Sequence, residues 1–240
     1  KLPETVAANG TFGGNGVKSV VGHPMGAQVG YVAEGIFRSQ DDIDNHAEQT
    51  GAGLGRIMWK DLNGDGKITE ADQDWIYNPV PAISYGLNVY LEYFGFDLTL
   101  FFQGVQGVDI ISDLKKETDL WSGLNISNLN KGTRLLDAWS PTNTDSDIPA
   151  LSIADNNNEK RVSSYWVEDG SYLKLKNIQL GYNLPEKALQ KLHMERWRFF
   201  VSAQNVFTIH SRSFTGVDPE NPNYGYPNAL NITVGTSLNF

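Results

Sequence analysis

The chain has 240 residues, a formal charge of -9 and no cysteine. This composition excludes disulfides, Cys-ligated zinc and a thiol nucleophile, and 6 Trp, 10 Tyr and 11 Phe exclude a disordered chain. The acidic balance argues against a nucleic-acid partner, because phosphate binding requires clustered Lys and Arg.

The first residues, from Lys1 to Thr5, show neither an initiator Met nor the basic, apolar and small-residue order of a signal peptide. We therefore expect a chain that was either processed or taken from something longer. No apolar run approaches the ~20 residues that a membrane helix needs. Any membrane span must then consist of strands, and such a sheet must close on itself to pair its backbone.

The segment from Asp61 to Asp72 matches a calcium-binding loop, D-x-[DN]-x-[DN]-G with a carboxylate at position twelve. Oxygen donors recur at every second position, and Gly66 permits the sharp turn. The predicted ligands are Asp61, Asn63, Asp65, the Lys67 carbonyl, Thr69 and Asp72. Position twelve is Asp rather than Glu, and the shorter side chain is less able to reach the ion with both carboxylate oxygens. No amphipathic helix pair flanks the loop. We predict a structural Ca2+ site, the alternative being an unoccupied Asn-Gly-Asp-Gly turn.

Two long alternating strands follow, at 84–94 and 96–105, joined by a minimal turn at Phe94-Gly95. Alternation with a period of two indicates strands that have one apolar and one polar face. Aromatic residues lie near the strand ends, as in the interface girdles of membrane barrels. They are Tyr85, Tyr93, Phe96 and Phe102. The alternative is the aromatic core of a soluble β-sandwich.

Three further strands are predicted at 170–183, 195–207 and 228–240. The first changes phase near Asn177, which indicates either a bulge or a strand that continues above the membrane. The last is the most regular, with Leu230, Ile232, Val234, Thr236, Leu238 and Phe240 on one face. Its length favours a membrane barrel, because sandwich strands are usually about half as long.

The connections alternate between short and long. The links at 94–95 and 184–194 are short, whereas 105–170 and 208–227 are long and polar, which is the asymmetry of bacterial outer-membrane barrels. A helix is predicted within the long connection, over 129–139. We therefore predict an all-β fold, an antiparallel transmembrane β-barrel segment with long extracellular loops. Residues 1–83 form an extracellular loop region and 84–240 the barrel strands, and five strands are too few to close a membrane barrel.

No arrangement of residues predicts an enzyme. The four His residues are far apart in the chain, and no Gly-x-Ser-x-Gly or P-loop pattern occurs. Carboxylates are plentiful, but nothing selects one pair for acid–base work.

Several blocks, in order, resemble the end of SusC/RagA-type TonB-linked transporters of the Bacteroidota outer membrane. The blocks are 21–26, 30–32, 35–37, 60–66, 94–104, 167–177 and 202–208. The closing pattern resembles the signal by which the barrel-assembly machinery recognises its clients. It comprises Thr233, Gly235, Leu238 and Phe240.

The resemblance implies a 22-stranded barrel in the bacterial outer membrane, with a plug and TonB coupling supplied by an upstream region. It also implies a SusD-like lipoprotein lid and import of oligosaccharides or peptides. Candidate substrate contacts are loop aromatics, because sugar faces stack on aromatic rings, and loop packing is the alternative role. These candidates are Trp121, Trp166 and Tyr224. The competing hypothesis is a secreted calcium-stabilised β-sandwich, such as a carbohydrate-binding module.

Overall fold

The computed structural model describes residues 11–12, 19–20, 22–119, 131–152, 154–222 and 226–240. The strands, in chain order, are β1 (Thr11–Phe12), β2 (Ser19–Val20), β3 (Gln28–Tyr31), β4 (Ala33–Ile36), β5 (Ile57–Trp59), β6 (Gln73–Tyr77), β7 (Ile83–Tyr93), β8 (Phe96–Gln106), β9 (Asp109–Ile111), β10 (Val167–Asp169), β11 (Tyr172–Asn183), β12 (Arg196–His210) and β13 (Asn231–Asn239). The α-helices are α1 (Gln40–Asn45), α2 (Asp113–Thr118) and α3 (Glu186–Leu192), and short 3₁₀ helices lie at Glu70–Asp72, Thr133–Asp137 and Ser164–Trp166. Among these described residues, no helix has the length and apolar character needed to cross a membrane.

The chain divides into two compact units. The sheet unit comprises the described residues of 81–108, 170–221 and 226–240, and the loop unit comprises those up to 80, 109–169 and Pro222. From the sequence, 105–170 is instead predicted to belong to the barrel region as one of its loops. This long connection belongs with the preceding segment because hydrogen bonds join the two; for example, the Ile57 amide donates to Glu159 at 3.0 Å.

The sheet unit contains one antiparallel sheet, in the order β13-β12-β11-β8-β7. Its members are the five strands that alternation predicts. Phe94 and Gly95 form the connection between β7 and β8, with φ values of 47° and 81°. Two left-handed residues in succession are the signature of a type I′ turn, whose twist matches that of the flanking strands.

A β-bulge explains the phase change in β11. Against β12 the additional residue lies on β12 itself. Against β8 the register shifts between Leu175 and Asn177, so Lys176 is an additional residue of β11 in that ladder. The insertion allows Leu175 and Ile178 to share one face although they are three positions apart. The predicted bulge near Asn177 is therefore confirmed.

The loop unit is built from two-stranded ladders, β1–β2, β3–β6, β4–β5 and β9–β10. Its centre is β5, where Ile57 and Trp59 are fully buried together with Phe37. Polar side chains complete the backbone bonding of this short strand. Gln49 and Asn157 both donate to the Ile57 carbonyl, at 2.8 and 2.9 Å, and Gln49 accepts from the Trp59 amide at 2.9 Å. Such bonds replace the ladder of a longer strand and allow an irregular segment to bury its backbone.

The helix predicted over 129–139 is wrong in type and length within the described residues 131–139. Only Thr133–Asp137 is helical, as a 3₁₀ helix, and Ala138 after it is extended. Leu135 packs in a small cluster with Ala138 and Ile148, whereas Leu136 is 90% exposed. A single turn buries the inward-facing side chains, so the longer helix is not needed.

Candidate functional site

One face of the sheet is apolar and exposed, and we call it the apolar face. The pairing places aliphatic side chains in two cross-strand rows. These rows are Leu91–Leu98–Leu180–Val201–Val234 and Val89–Leu100–Ile178–Ala203–Ile232. Val234 is 79% exposed, and Leu91 and Ile232 are also exposed. A soluble sandwich covers such a face with a second sheet, whereas a continuous exposed apolar area marks contact with a membrane or a partner.

Aromatic side chains border the apolar face at the end of the sheet that carries the short turn. The row there contains Tyr93, Phe96, Tyr182 and Phe199, and the Phe96 and Tyr182 ring centroids are 4.6 Å apart. Tyr85 lies eight residues before Tyr93 on β7. A strand rises by ~3.3 Å per residue and is tilted by about 40° from the axis of a membrane barrel. The two tyrosines are therefore separated by roughly 20 Å along that axis, which is close to the ~25 Å height of the apolar band of outer-membrane barrels.

The opposite face is polar, and we call it the polar face. Its side chains are mostly amides and hydroxyls, with three aromatic rings among them and charged groups towards its ends. Members include Asn88, Tyr90, Glu92, Asp97, Thr99, Phe101, Gln103, Gln179, Arg198, Phe200, Ser202, Gln204, Thr233 and Ser237. Alternation of this kind produces a wall with one surface for lipid and one for water.

An ion pair between the buried Asp97 and the partly buried Arg198 lies on the polar face near the short turn. Arg198 donates to both carboxylate oxygens of Asp97, from Nε at 3.0 Å and from Nη2 at 2.5 Å. Asn183 donates to the same carboxylate at 3.3 Å, and the Arg198 guanidinium lies 5.4 Å from the centroid of the Phe200 ring. Gly181 sits beneath the pair, and a Cβ at this position would collide with both charged groups. The missing side chain makes room for a bidentate geometry, which fixes the two charges in place.

A second ionic cluster fastens the long connection after β12 to the other end of the polar face. Lys174 is 1% exposed, and its Nζ donates to Asp218 at 2.7 Å and to Glu220 at 2.8 Å. Lys176 donates to both Glu220 oxygens, at 2.9 and 3.0 Å, and the Tyr172 hydroxyl donates to Glu220 at 3.2 Å. Burial acts to raise the pKa of Glu220, but the hydrogen bonds from the two lysines leave it below its ordinary value. A buried lysine is tolerated here because both carboxylates neutralise it.

The predicted calcium loop is closed by hydrogen bonds to its own side chains. Asp61 accepts from the Gly66 amide at 2.8 Å, Asn63 accepts from the Asp65 amide at 2.8 Å, and Asp65 accepts from the Lys67 amide at 2.9 Å. These turns set the oxygens at alternate positions, as the motif requires. The donor set therefore fits a calcium ion in kind.

Asp72 and Thr69 close the other end of this loop. Asp72 is buried, and its carboxylate accepts from the amides of Leu62, Asn63 and Thr69 at 3.0, 3.4 and 2.7 Å. Burial acts to raise the pKa of Asp72, but these amides hold it below the ordinary value. Asp72 thus serves as a latch for the loop backbone. No grouping of three or more acidic or His side chains suited to a metal occurs in the described part of the chain, so the Ca2+ site stays a prediction.

Of the three predicted substrate contacts, only Trp166 lies within the described residues, whereas Trp121 and Tyr224 lie outside them. Trp166 is 3% exposed, its indole donates to the Arg161 carbonyl at 3.1 Å, and its ring meets that of Tyr165 edge-on. This is the position of a packed core residue. Its contact with a substrate stays a prediction.

The predicted assembly residues divide between the two faces of β13. Thr233 and Gly235 lie on the polar face, and Leu238 and Phe240 lie on the apolar side and are exposed. A Cβ at Gly235 would collide with the Phe200 ring. This glycine therefore has a packing reason of its own, and recognition by assembly machinery stays a prediction.

Neither ionic cluster is predicted from the sequence. A signal was present, because Asp97 and Arg198 are charges at polar positions of strands that otherwise alternate, and Lys174 stands between two leucines. Their partners could not be read, since Asp97 and Arg198 are separated by 101 residues and Lys174 and Asp218 by 44.

No family model matches the chain. It is 35% identical over 236 residues to TonB-dependent receptor P3 of Formosa agariphila, a match that covers 91% of this chain and 22% of that protein. TonB-dependent receptor SusC of Bacteroides thetaiotaomicron is 26% identical over 221 residues, which cover 89% of this chain and 20% of that protein.

A solved structure of the RagAB peptide importer in its open-open state has the same fold. The TM-score is 0.70 at 21% identity, and the match covers 95% of this chain and 24% of that chain. The predicted fold class, a segment of an antiparallel transmembrane β-barrel, is thereby confirmed. The chain spans roughly a fifth of the length of these curated relatives, which are receptors rather than enzymes. It belongs to the SusC/RagA family of TonB-dependent receptors, as a carboxy-terminal portion of a barrel in the bacterial outer membrane.

Proposed function

We propose that this chain forms part of the wall of a TonB-dependent transporter that imports oligosaccharides or peptides together with a SusD-like surface lipoprotein. The observation that carries the proposal is the sheet with two distinct faces. Its apolar face suits contact with lipid, and its polar face suits a water-filled path. The relatives support this function, since one is SusC and a structural neighbour is a peptide importer.

In this function the polar face lines the route of the solute. Two sets of its charged groups are paired, Asp97 with Arg198 and Lys174 with Asp218, whereas Glu92 accepts only a hydrogen bond from the Tyr90 hydroxyl among the described residues. Paired charges stay fixed and leave hydroxyl and amide groups to meet a solute. The chain itself carries out no chemical step in this proposal.

The long connections supply the surface that meets the lipoprotein. They leave β8 at Gln106 and β12 at His210, which is the end of the sheet opposite the Phe94-Gly95 turn. Coupling to TonB is assigned to a region outside these 240 residues. The closing residues Leu238 and Phe240 serve as the recognition signal for the barrel-assembly machinery, and a bound Ca2+ stiffens the loop at 61–72.

Uptake by the native bacterium tests the transport proposal. We expect deletion of the whole transporter gene to abolish uptake of one labelled class, either oligosaccharides or peptides, and complementation to restore it. A protonophore should stop uptake by the complemented strain, because TonB draws on the proton gradient. Unchanged uptake of both classes in the deletion strain would refute transport, and recovery of the protein without detergent would refute the barrel.

A double substitution on the polar face tests whether this part of the chain contributes to uptake. Replacement of both members of the ion pair, Asp97→Asn with Arg198→Met, removes the fixed charges without leaving one of them alone. We expect slower uptake at an unchanged amount of protein in the outer membrane. The control is Lys187→Ala, which removes an exposed charge from α3.

A further inference from the structure

A small pocket in the loop unit is lined by three basic residues and by no acidic one. The basic residues are Lys116, Lys160 and Arg161, and apolar walls come from residues that include Ile76 and Trp166. The cavity volume is about 50 Å³. Since one water needs about 10–15 Å³ of such space, this cavity admits a small group of a few heavy atoms, such as a carboxylate.

The walls of the pocket are held in place from two sides. The Tyr31 amide on β3 donates to the Val162 carbonyl at 3.0 Å, and the Ser112 amide donates to the Trp166 carbonyl at 2.9 Å. Gly30 allows this close approach, because a Cβ there would collide with the Val162 carbonyl. The pocket is thus part of the folded unit rather than a gap at its surface.

The positive charges of the pocket lack close carboxylate partners within the described residues. The nearest carboxylate oxygen to Lys116 is that of Asp113, at 3.9 Å, and Lys160 has no ion-pair or hydrogen-bond partner in that part of the chain. Arg161 donates from Nε to the Asn158 carbonyl at 3.0 Å, and its guanidinium lies 4.4 Å from the centroid of the Tyr31 ring. A carbonyl oxygen fixes the guanidinium but does not neutralise it.

The Ser163 hydroxyl in this pocket is available to bind a ligand. Ser163 lines the pocket and is 1% exposed, and its Oγ has no hydrogen-bond partner among the described residues. A buried polar atom without a partner costs about 1–3 kcal/mol, so such atoms are rare unless something else supplies the bond.

We propose that this pocket binds a carboxylate group carried on a short apolar body. The basic residues attract the charge, Ser163 offers a hydrogen bond, and the side chains of Ile76 and Trp166 contact the apolar part. The apolar walls disfavour a strongly hydrated phosphate or sulfate. The carboxylate is the terminus of a peptide or the acid group of a small organic acid, and the experiment separates these two sources.

Equilibrium binding to the purified full-length transporter in detergent tests the proposal. The calorimetric probes are propionate and N-acetyl-alanine, each compared with its neutral amide. We expect each acid that binds to exceed its amide by about tenfold in affinity, because a charge-assisted hydrogen bond is lost in the amide. Preference for N-acetyl-alanine over propionate identifies a peptide terminus, and the reverse identifies a small acid.

Matched variants show whether binding occurs at this pocket. Lys160→Ala should weaken acid binding by about fivefold or more, and Lys160→Arg should retain it because the charge remains. Lys187→Ala, an equal charge loss on the exposed helix α3, should change nothing. Equal affinity for acid and amide, no binding of either acid, or full binding by Lys160→Ala would each overturn the proposal. Binding needs no uptake, so a result here is separate from the fate of the transport proposal.

Discussion

Val89 and Asn88 form a matched pair of positions for testing how the sheet faces the membrane. They are neighbours on β7 and lie on opposite faces, Val89 on the apolar face and Asn88 on the polar face. Val89 also lies four residues from Tyr85 and four from Tyr93, the aromatic residues towards the ends of the strand. We expect Val89→Arg to impair folding into a membrane and Asn88→Arg to be tolerated.

The position of Val89 determines the size of the effect. Four residues at ~3.3 Å each, tilted by about 40°, bring it roughly 10 Å inwards from each aromatic border, and half of an apolar band of ~25 Å is about 12 Å. Val89 is therefore within a few Å of the bilayer centre. An arginine at this depth costs about 2–4 kcal/mol, whereas a substitution facing water usually changes stability by less than about 0.5 kcal/mol.

Refolding of the full-length transporter into lipid vesicles measures this difference. Guanidinium titrations of the parent, Val89→Arg and Asn88→Arg give three free energies of unfolding in the same lipid. The amount of each protein in the outer membrane of cells provides a second readout. An equal loss for the two variants, or a larger loss for Asn88→Arg, would falsify the assignment of the faces.

Three further predictions concern the ionic and loop contacts. Gly181→Ala should destabilise the protein by about 1–3 kcal/mol in denaturant, because the new methyl group displaces the ion pair of Asp97 and Arg198. Gly86→Ala, whose Cβ would meet nothing nearer than 3.5 Å, is the control and should have a clearly smaller effect. Because the folded pKa of Glu220 is lowered from 4.5, the stability it contributes is complete above pH 4.5 and is lost as pH falls through the lowered pKa. The rate of proteolysis of the connection after β12 should therefore rise in acid, and the Glu220→Gln variant should be cleaved readily at all pH values. A cleavage rate of the parent protein that does not change with pH would contradict the role of this ionic cluster. Calcium should raise the melting temperature of the parent but not of Asp61→Ala or Asp65→Ala, and no rise in the parent would remove the site.

The sheet could be predicted from the sequence because its signals are local. The alternation of apolar and polar residues identifies each strand, and the Phe94-Gly95 turn fixes the hairpin. A change in the phase of this alternation reveals the bulge at Lys176. The loop unit could not be predicted in this way. Its central strand is completed by side chains from Gln49 and Asn157, and Asn157 is 100 residues away from the carbonyl it binds. No periodic pattern encodes a bond of that kind, since one polar residue in a long loop looks like any other.

The distribution of charge along the polar face indicates where this part of the wall can discriminate between solutes. Arg198 and Asp97 lie at the end with the short turn, and Lys174 and its partners lie at the other end. Between the two clusters the polar-face residues are neutral, such as Gln179 and Ser202. A solute in the middle of this wall therefore meets amides and hydroxyls, which bond equally well to a sugar hydroxyl and to a peptide backbone. It follows that any preference for charge in this part of the barrel must arise at its two ends.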